Sequence, residues 1–274
     1  MKTIIVPTDF STISDNAMNY AVGLARETNS SILLFYAYQV PVSMTDVPIV
    51  LLSVDELQKN ASTKINELKK SLEASTGGSV KIYAETKLGD TVDELENFCN
   101  LIKPFAVVMG TKGATGLERV LFGSTTLSVI KHLTWPIIVV PPGKKYSTIK
   151  KIGFACDFRE VVNTTPTHFI KEFVKEFGAE LHVLNVDNKN VKFKPGTPEE
   201  SLSLHTMLED LDPIYDFIED ENIEAGIEKF AEKNNLDLII TIPKKHKLLE
   251  SLFRKSHTKD LIFHSHLPIM CVHE

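Results

Sequence analysis

Met109-Gly-Thr-Lys-Gly-Ala-Thr-Gly-Leu-Glu-Arg-Val-Leu-Phe-Gly-Ser-Thr125 is the stretch around which the rest of the chain arranges itself. The apolar run Phe105-Ala-Val-Val-Met109, bounded by Pro104, predicts a buried parallel strand leading into it. Behind it, Leu127, Ile130 and Leu133 recur at helical spacing, which predicts a helix starting near Gly123-Ser124. The stretch therefore reads as strand, glycine-studded loop and helix.

Such a unit suits an anionic ligand. Glycines admit positive φ and close approach of backbone to ligand. The first helical turn offers unpaired N–H groups at the positive end of the dipole. Ser124 can cap that helix or donate its hydroxyl to a phosphate oxygen. The loop has no Walker run Gly-x-x-x-x-Gly-Lys-[Ser/Thr], and with Gly110 and Gly113 three apart it has no Rossmann Gly-x-Gly-x-x-Gly run. On the glycines alone, an ordinary strand–helix loop is an equal alternative.

Toward the amino terminus, Lys2-Thr-Ile-Ile-Val-Pro-Thr-Asp9 reads as a first strand, with Asp9 at the carboxyl edge where open α/β sheets bind ligands. A helix over 15–27 follows, with Ala17, Met18, Ala21, Leu24 and Ala25 on one face. The second strand is Ser31 to Tyr38. A capping box, Ser53-x-x-Glu56, opens the next helix, which Gly77-Gly78 ends. Val80 to Thr86 reads as a third strand, and Gly89-Asp90 opens a helix carrying Val92, Leu95, Phe98 and Ile102. Pro136-Ile-Ile-Val-Val140 closes the series. Alternating strands and helices predict an α/β fold with a mostly parallel sheet covered on both faces.

The pattern then restarts. Pro141-Pro-Gly-Lys-Lys145 is a stiff polar joint, and Ile149 to Phe158 repeats Lys2 to Phe10, with Asp157-Phe158 where Asp9-Phe10 stand. Ala179 to Val186 echoes the second strand, Leu236 to Thr241 the central one and Leu267 to His273 the closing one. The chain is read as a tandem duplication, with domains over 1–146 and 147–274, each a five-stranded sheet flanked by helices. The second copy is shorter, and one Pro-started helix lies in its middle segment, 194–211. Its counterpart of the glycine loop begins at Thr241 and has no glycine. The aligned positions are Thr241 or Ile242, Lys244 or Lys245, and Arg254 or Lys255. A cradle that needs positive φ is lost there. Basic side chains could still hold an anion, but a solvated basic face, set against the acidic stretch Glu209 to Glu221, is the simpler reading.

Composition bounds the function. A 274-residue chain that is 43% hydrophobic and 24% charged is globular, and no apolar run is long enough to span a membrane. The start lacks the pattern of a signal peptide, and Cys99, Cys156 and Cys271 are scattered, so a cytoplasmic location with reduced thiols is expected. The net charge of −6 argues against nucleic-acid binding, and the whole deficit lies in residues 147–274. His264, His266, Cys271 and His273 make the one arrangement worth weighing for a metal, but their spacing matches no standard zinc site, and no metal ligand is assigned. No catalytic set emerges either.

The spacing Gly110-x-x-Gly113, nine residues, then Gly123-Ser124 resembles the ATP-binding signature of the universal stress protein family. Val6-Pro-Thr-Asp9-Phe-Ser11 and Trp135-Pro-Ile-Ile-Val-Val140 extend the resemblance over the first half, with weaker echoes in the second. It implies two Rossmann-like domains of the adenine nucleotide alpha hydrolase type, the first binding ATP with magnesium and the second degenerate. By the same resemblance Asp9, next to Thr8, contacts the adenine side, and Pro7 and Ala37 are backbone walls of the base pocket. Met109, Gly110, Thr111, Lys112, Gly113, Ala114 and Thr115 line the ribose and phosphates, and Gly123, Ser124 and Thr125 hold the phosphate tail. A plain helix cap is the rival role for Asp9. The implied function is nucleotide-dependent regulation in a stress response, through an unknown client protein and without dedicated turnover. In this family closing strands pair across a two-fold, so the duplication implies an intramolecular pseudo-dimer, with a homodimer also open. The rivals are an enzyme of ATP hydrolysis or phosphoryl or adenylyl transfer, and a nucleotide-free scaffold.

Overall fold

The computed structural model describes residues 1–40, 53–111, 123–187, 197–243, 261 and 265–273. It divides into two compact units, Met1–Trp135 and Pro136–Glu274.

The first unit runs β1 (Thr3–Pro7), α1 (Thr12–Glu27), β2 (Ser31–Tyr38), α2 (Val54–Thr76), β3 (Ile82–Leu88), α3 (Thr91–Ile102), β4 (Ala106–Gly110) and α4 (Ser124–His132). Its strands stand in the order β3-β2-β1-β4, all parallel. Apart from Thr3 and Ser31 at their starts, β1, β2 and β4 are mostly apolar, as strands with helices on both faces are. Phe35 of β2 meets Phe98 of α3, while the next residue, Tyr36, points to the opposite face and meets Phe10, over which Lys64 of α2 lies.

Local chemistry sets the helix ends. Ser11 caps α1, so that helix begins at Thr12, three residues before the sequence expectation. The capping box of Ser53 and Glu56 forms as its spacing requires. Gly77 ends α2 in the left-handed region at φ 59°, where a side chain would be strained. Asp90 caps α3 by accepting from the amides of Val92 and Asp93. The third strand starts two residues later than expected.

The second unit runs β5 (Ile137–Val140), β6 (Lys151–Ala155), α5 (Val161–Thr164), α6 (Thr167–Phe177), β7 (Glu180–Asp187), α7 (Thr197–Leu208) with a 3-10 turn over Glu209–Leu211, β8 (Ile214–Glu219), α8 (Ile223–Asn234), β9 (Leu238–Thr241) and β10 (Ile269–Cys271). Its strand order is β5-β10-β9-β6-β7-β8. Neighbours from β10 to β8 are parallel, whereas β5 is antiparallel to β10 with Ile138 opposite Met270. The closing strands of the two repeats thus pair with each other, and every residue of both is buried. Each repeat contributes five strands. One strand escapes the sequence reading: β8 sits inside the stretch taken for an acidic surface.

Candidate functional site

The carboxyl ends of β1, β2 and β4 bring most of the expected residues to one edge of the first unit. Pro7 ends β1, level with Phe35, and Ala37 follows two places along β2. The Thr8 amide donates to the Phe35 carbonyl at 2.9 Å, which fixes the turn out of β1 against β2. Within that turn the Thr8 hydroxyl accepts from the Phe10 amide at 3.0 Å and lies 3.2 Å from the Ser14 hydroxyl. Thr8 therefore spends its side chain inside the fold. Asp9 is exposed, and its Oδ1 accepts from the Ser11 amide at 3.1 Å. It braces the turn without capping α1, a task that falls to Ser11.

The phosphate side is built from β4 and α4. Met109 and Thr111 are buried. Gly110 has no room for a side chain, since an added Cβ would stand 2.5 Å from Ile13 Cγ2 and 3.1 Å from the Ile13 carbonyl oxygen. Close approach of α1, not positive φ, makes this position glycine. The Gly123 amide donates to the Thr111 carbonyl at 3.3 Å, and the Thr126 hydroxyl donates to the Gly110 carbonyl at 2.8 Å. These two bonds tie the start of α4 to the end of β4.

Gly123 serves as N-cap with φ −57° and no side-chain hydrogen bond. The first-turn amides of α4 thus receive no acceptor from the cap, and Ser124 and Thr125 are exposed beside them. Amides left in that way favour an anion. Lys112, Gly113, Ala114 and Thr115 lie outside the described residues.

The second unit repeats three hydrogen bonds of the first turn. The Cys156 amide donates to the Leu184 carbonyl at 2.9 Å, the Phe158 amide to Cys156 Sγ at 3.4 Å, and the Arg159 amide to Asp157 Oδ1 at 3.2 Å. Phe10 and Phe158 share the left-handed conformation, at φ 60° and 49°. Beyond that turn the copies part. The Val161 amide, at the start of α5, donates to Glu200 Oε2 of α7 at 2.8 Å, so a carboxylate of the chain itself sits there. The pairing of β1 with β4, compared with that of β6 with β9, places Ile242 where Gly110 stands. At the strand end this decides between Thr241 and Ile242, which the sequence left open. Lys244, Lys245, Arg254 and Lys255 lie outside the described residues.

Elsewhere, His182 is buried between two carboxylates, with Nδ1 2.8 Å from Asp216 Oδ2 and Nε2 2.7 Å from Glu180 Oε1. That hydrogen bond, with one from Lys151, holds the Glu180 carboxyl below its ordinary range. No sequence motif marked this trio. Of the histidine–cysteine group weighed for a metal, His266 is exposed while Cys271 and His273 are buried, and His264 lies outside the described residues. Among the described residues no three His, Cys, Asp or Glu side chains are grouped to hold a metal ion.

Comparison with known proteins fixes the kinship. The model of the universal stress protein family matches twice, over residues 1–141 and 148–273. The chain belongs to the universal stress protein family. Universal stress protein MJ0531 of Methanocaldococcus jannaschii is 34% identical over 149 residues, covering 53% of this chain and 84% of the relative. Universal stress protein MJ0577 of the same organism is 28% identical over 160 residues, covering 51% of this chain and 94% of the relative. Among solved structures, a universal stress protein from Archaeoglobus fulgidus superposes with a TM-score of 0.74 at 20% identity, over 99% of this chain and 98% of its own. That likeness extends the two-domain α/β fold to the whole chain. No helix among the described residues is long and apolar enough to cross a membrane.

Proposed function

We propose that this universal stress protein is an ATP-dependent regulator of a cytoplasmic stress response, acting through a client protein, with its nucleotide site in the first repeat. One observation supports the reading above the others. The uncapped start of α4 is tied to the end of β4 beside Gly110, at the same sheet edge as Asp9 and Ala37. An anion suits those amides, and the turn through Asp9 gives the rest of a nucleotide a polar neighbour. Magnesium would ride on the phosphates, since that ion keeps several waters and needs few protein ligands.

In this reading the protein binds ATP without efficient turnover. The antiparallel pairing of β5 with β10 supports a pseudo-dimer, in which the second repeat supplies the strand that another copy would bring. Mass analysis of the protein purified under native conditions tests the binding, with one adenine nucleotide per chain as the expected outcome. A nucleotide-free protein that also fails to take up added ATP would make it a scaffold. Steady-state hydrolysis is expected far below about 1 per second, the lower end of the ordinary enzyme range. A rate inside that range, abolished by Gly113→Val, would move the protein into the enzyme class.

A further inference from the structure

Strand β8 forms the outer rim of the second unit's sheet, and among the described residues it pairs on one side only, with β7. Such a rim presents backbone donors and acceptors to any extended chain that fits it. Edge strands are commonly blunted by lysine. β3, the matching rim of the first unit, carries Lys87, which pairs with Glu85 of the same strand at 3.1 Å. β8 carries no lysine, and both of its charged residues, Asp216 and Glu219, are acidic. From Glu209 to Glu228 the sequence has nine acidic residues and no lysine or arginine.

Part of that charge is held internally. Asp210 pairs with Lys171 and Lys175, Asp216 bonds His182, and Asp220 pairs with Lys229. Glu209, Asp212 and Glu219 are exposed, with no cationic partner among the described residues, and they bracket the strand at its two ends. Between them Ile214 is 41% and Phe217 55% exposed. Strand alternation puts Phe217 and Glu219 on one face and Ile214 on the other. A segment laid along this rim would meet apolar surface on both faces and negative charge at both ends.

We propose that the outer edge of β8 is a docking strand for an extended basic segment of a partner protein, added to the sheet as one more strand. Charge complementarity selects this occupant. A second copy of β8 would set acidic residues against acidic residues, which destabilises cross-strand pairs. Nucleic acid would be repelled outright. The inference stands whether or not the first repeat binds a nucleotide.

The test uses the full chain and a fluorescent peptide of alternating lysine and valine, about six residues long to match an average strand. Anisotropy should report saturable binding that weakens as salt rises. The same peptide N-methylated at alternate amides, which blocks strand pairing but keeps the charge, should not bind. A glutamate–valine peptide should not bind either. Phe217→Lys and Glu219→Lys, both at exposed positions, should each weaken binding about tenfold or more. The proposal is overturned if the lysine–valine peptide does not bind, if N-methylation leaves its affinity unchanged, or if neither substitution matters. Sedimentation of the chain alone gives a further check, since a dimer abolished by Phe217→Lys would assign the edge to a second copy instead.

Discussion

Gly110 packs so tightly against Ile13 that a single added methyl carbon would lie 2.5 Å from the Ile13 Cγ2. Neither partner can yield easily, because the Ile13 carbonyl oxygen backs the same space at 3.1 Å. Gly110→Ala should therefore destabilise the first unit by about 1–3 kcal/mol, as overpacking of a dense interior does. Thermal unfolding followed by circular dichroism reads the loss, about 2–4 °C per kcal/mol for a chain of this order of size. Ile13→Ala in the same chain removes the offending methyl and should recover part of the loss. Simple addition of the two single effects would mean that the two residues do not press on each other.

That relationship also shows what the sequence could and could not say about the site. Glycine at 110 was legible as a requirement, and positive φ and close approach to a ligand were the reasons its chemistry suggested. The actual reason is contact with a residue almost a hundred positions earlier, which no local pattern reports. The strand–loop–helix unit, the capping box at Ser53 and the repeat at Asp157-Phe158 were legible because each rests on neighbouring residues. The turn hydrogen bonds of Thr8 and Cys156 follow from that repeat. β8 was hidden because Asp216 and Glu219 interrupt its apolar residues, and its charge pattern alone reads as surface. Asp216 in fact turns to the buried His182, which needed the register of β7 and β8 to be seen.

Acid should loosen the second unit through Asp210. Hydrogen bonds from Lys171 and Lys175 lower its carboxyl from an ordinary 3.8 to about 2. A folded-state value below the unfolded one contributes stability that is fully present above the unfolded value and lost as pH falls through the folded one. The group is solvent-exposed, so salt screens the effect. The urea midpoint of Asp210→Asn should lie below that of the wild type at pH 6, and the gap should close between pH 4 and 2. A gap that persisted unchanged at pH 2 would show that the aspartate acts by something other than its charge.

Thiol chemistry reports how the core opens. Cys99 is buried in α3, and burial first, then Glu96, pushes its thiol up to about 12. Burial alone pushes the Cys271 thiol well above its usual range, in a strand held between β5 and β9. A thiolate-directed reagent needs exposure and ionisation together. In native protein both cysteines should stay unlabelled on the time scale of labelling in urea, as peptide mapping by mass spectrometry would show. Prompt native labelling of Cys271 would mean that the β5–β10 pair opens without global unfolding.

The two repeats should differ in nucleotide binding, with one ATP per chain, held in the first. In that repeat, the α4 amides have no side-chain cap and the chain narrows to glycine at 110. In the second, Ile242 stands at the place that corresponds to Gly110. Replacing Ser124 by Ala should remove one hydrogen bond to a charged phosphate, worth about 1.5–3 kcal/mol. Affinity should fall by about ten- to a hundredfold, at 1.4 kcal/mol per decade. Gly113→Val should abolish binding. Asp157→Ala and Lys244→Ala, both in the second repeat, should leave the affinity unchanged. Isothermal titration of ATP with magnesium into the intact chain measures stoichiometry and affinity together. A stoichiometry of two, or a loss on Asp157→Ala equal to that on Ser124→Ala, would show that the second repeat binds after all.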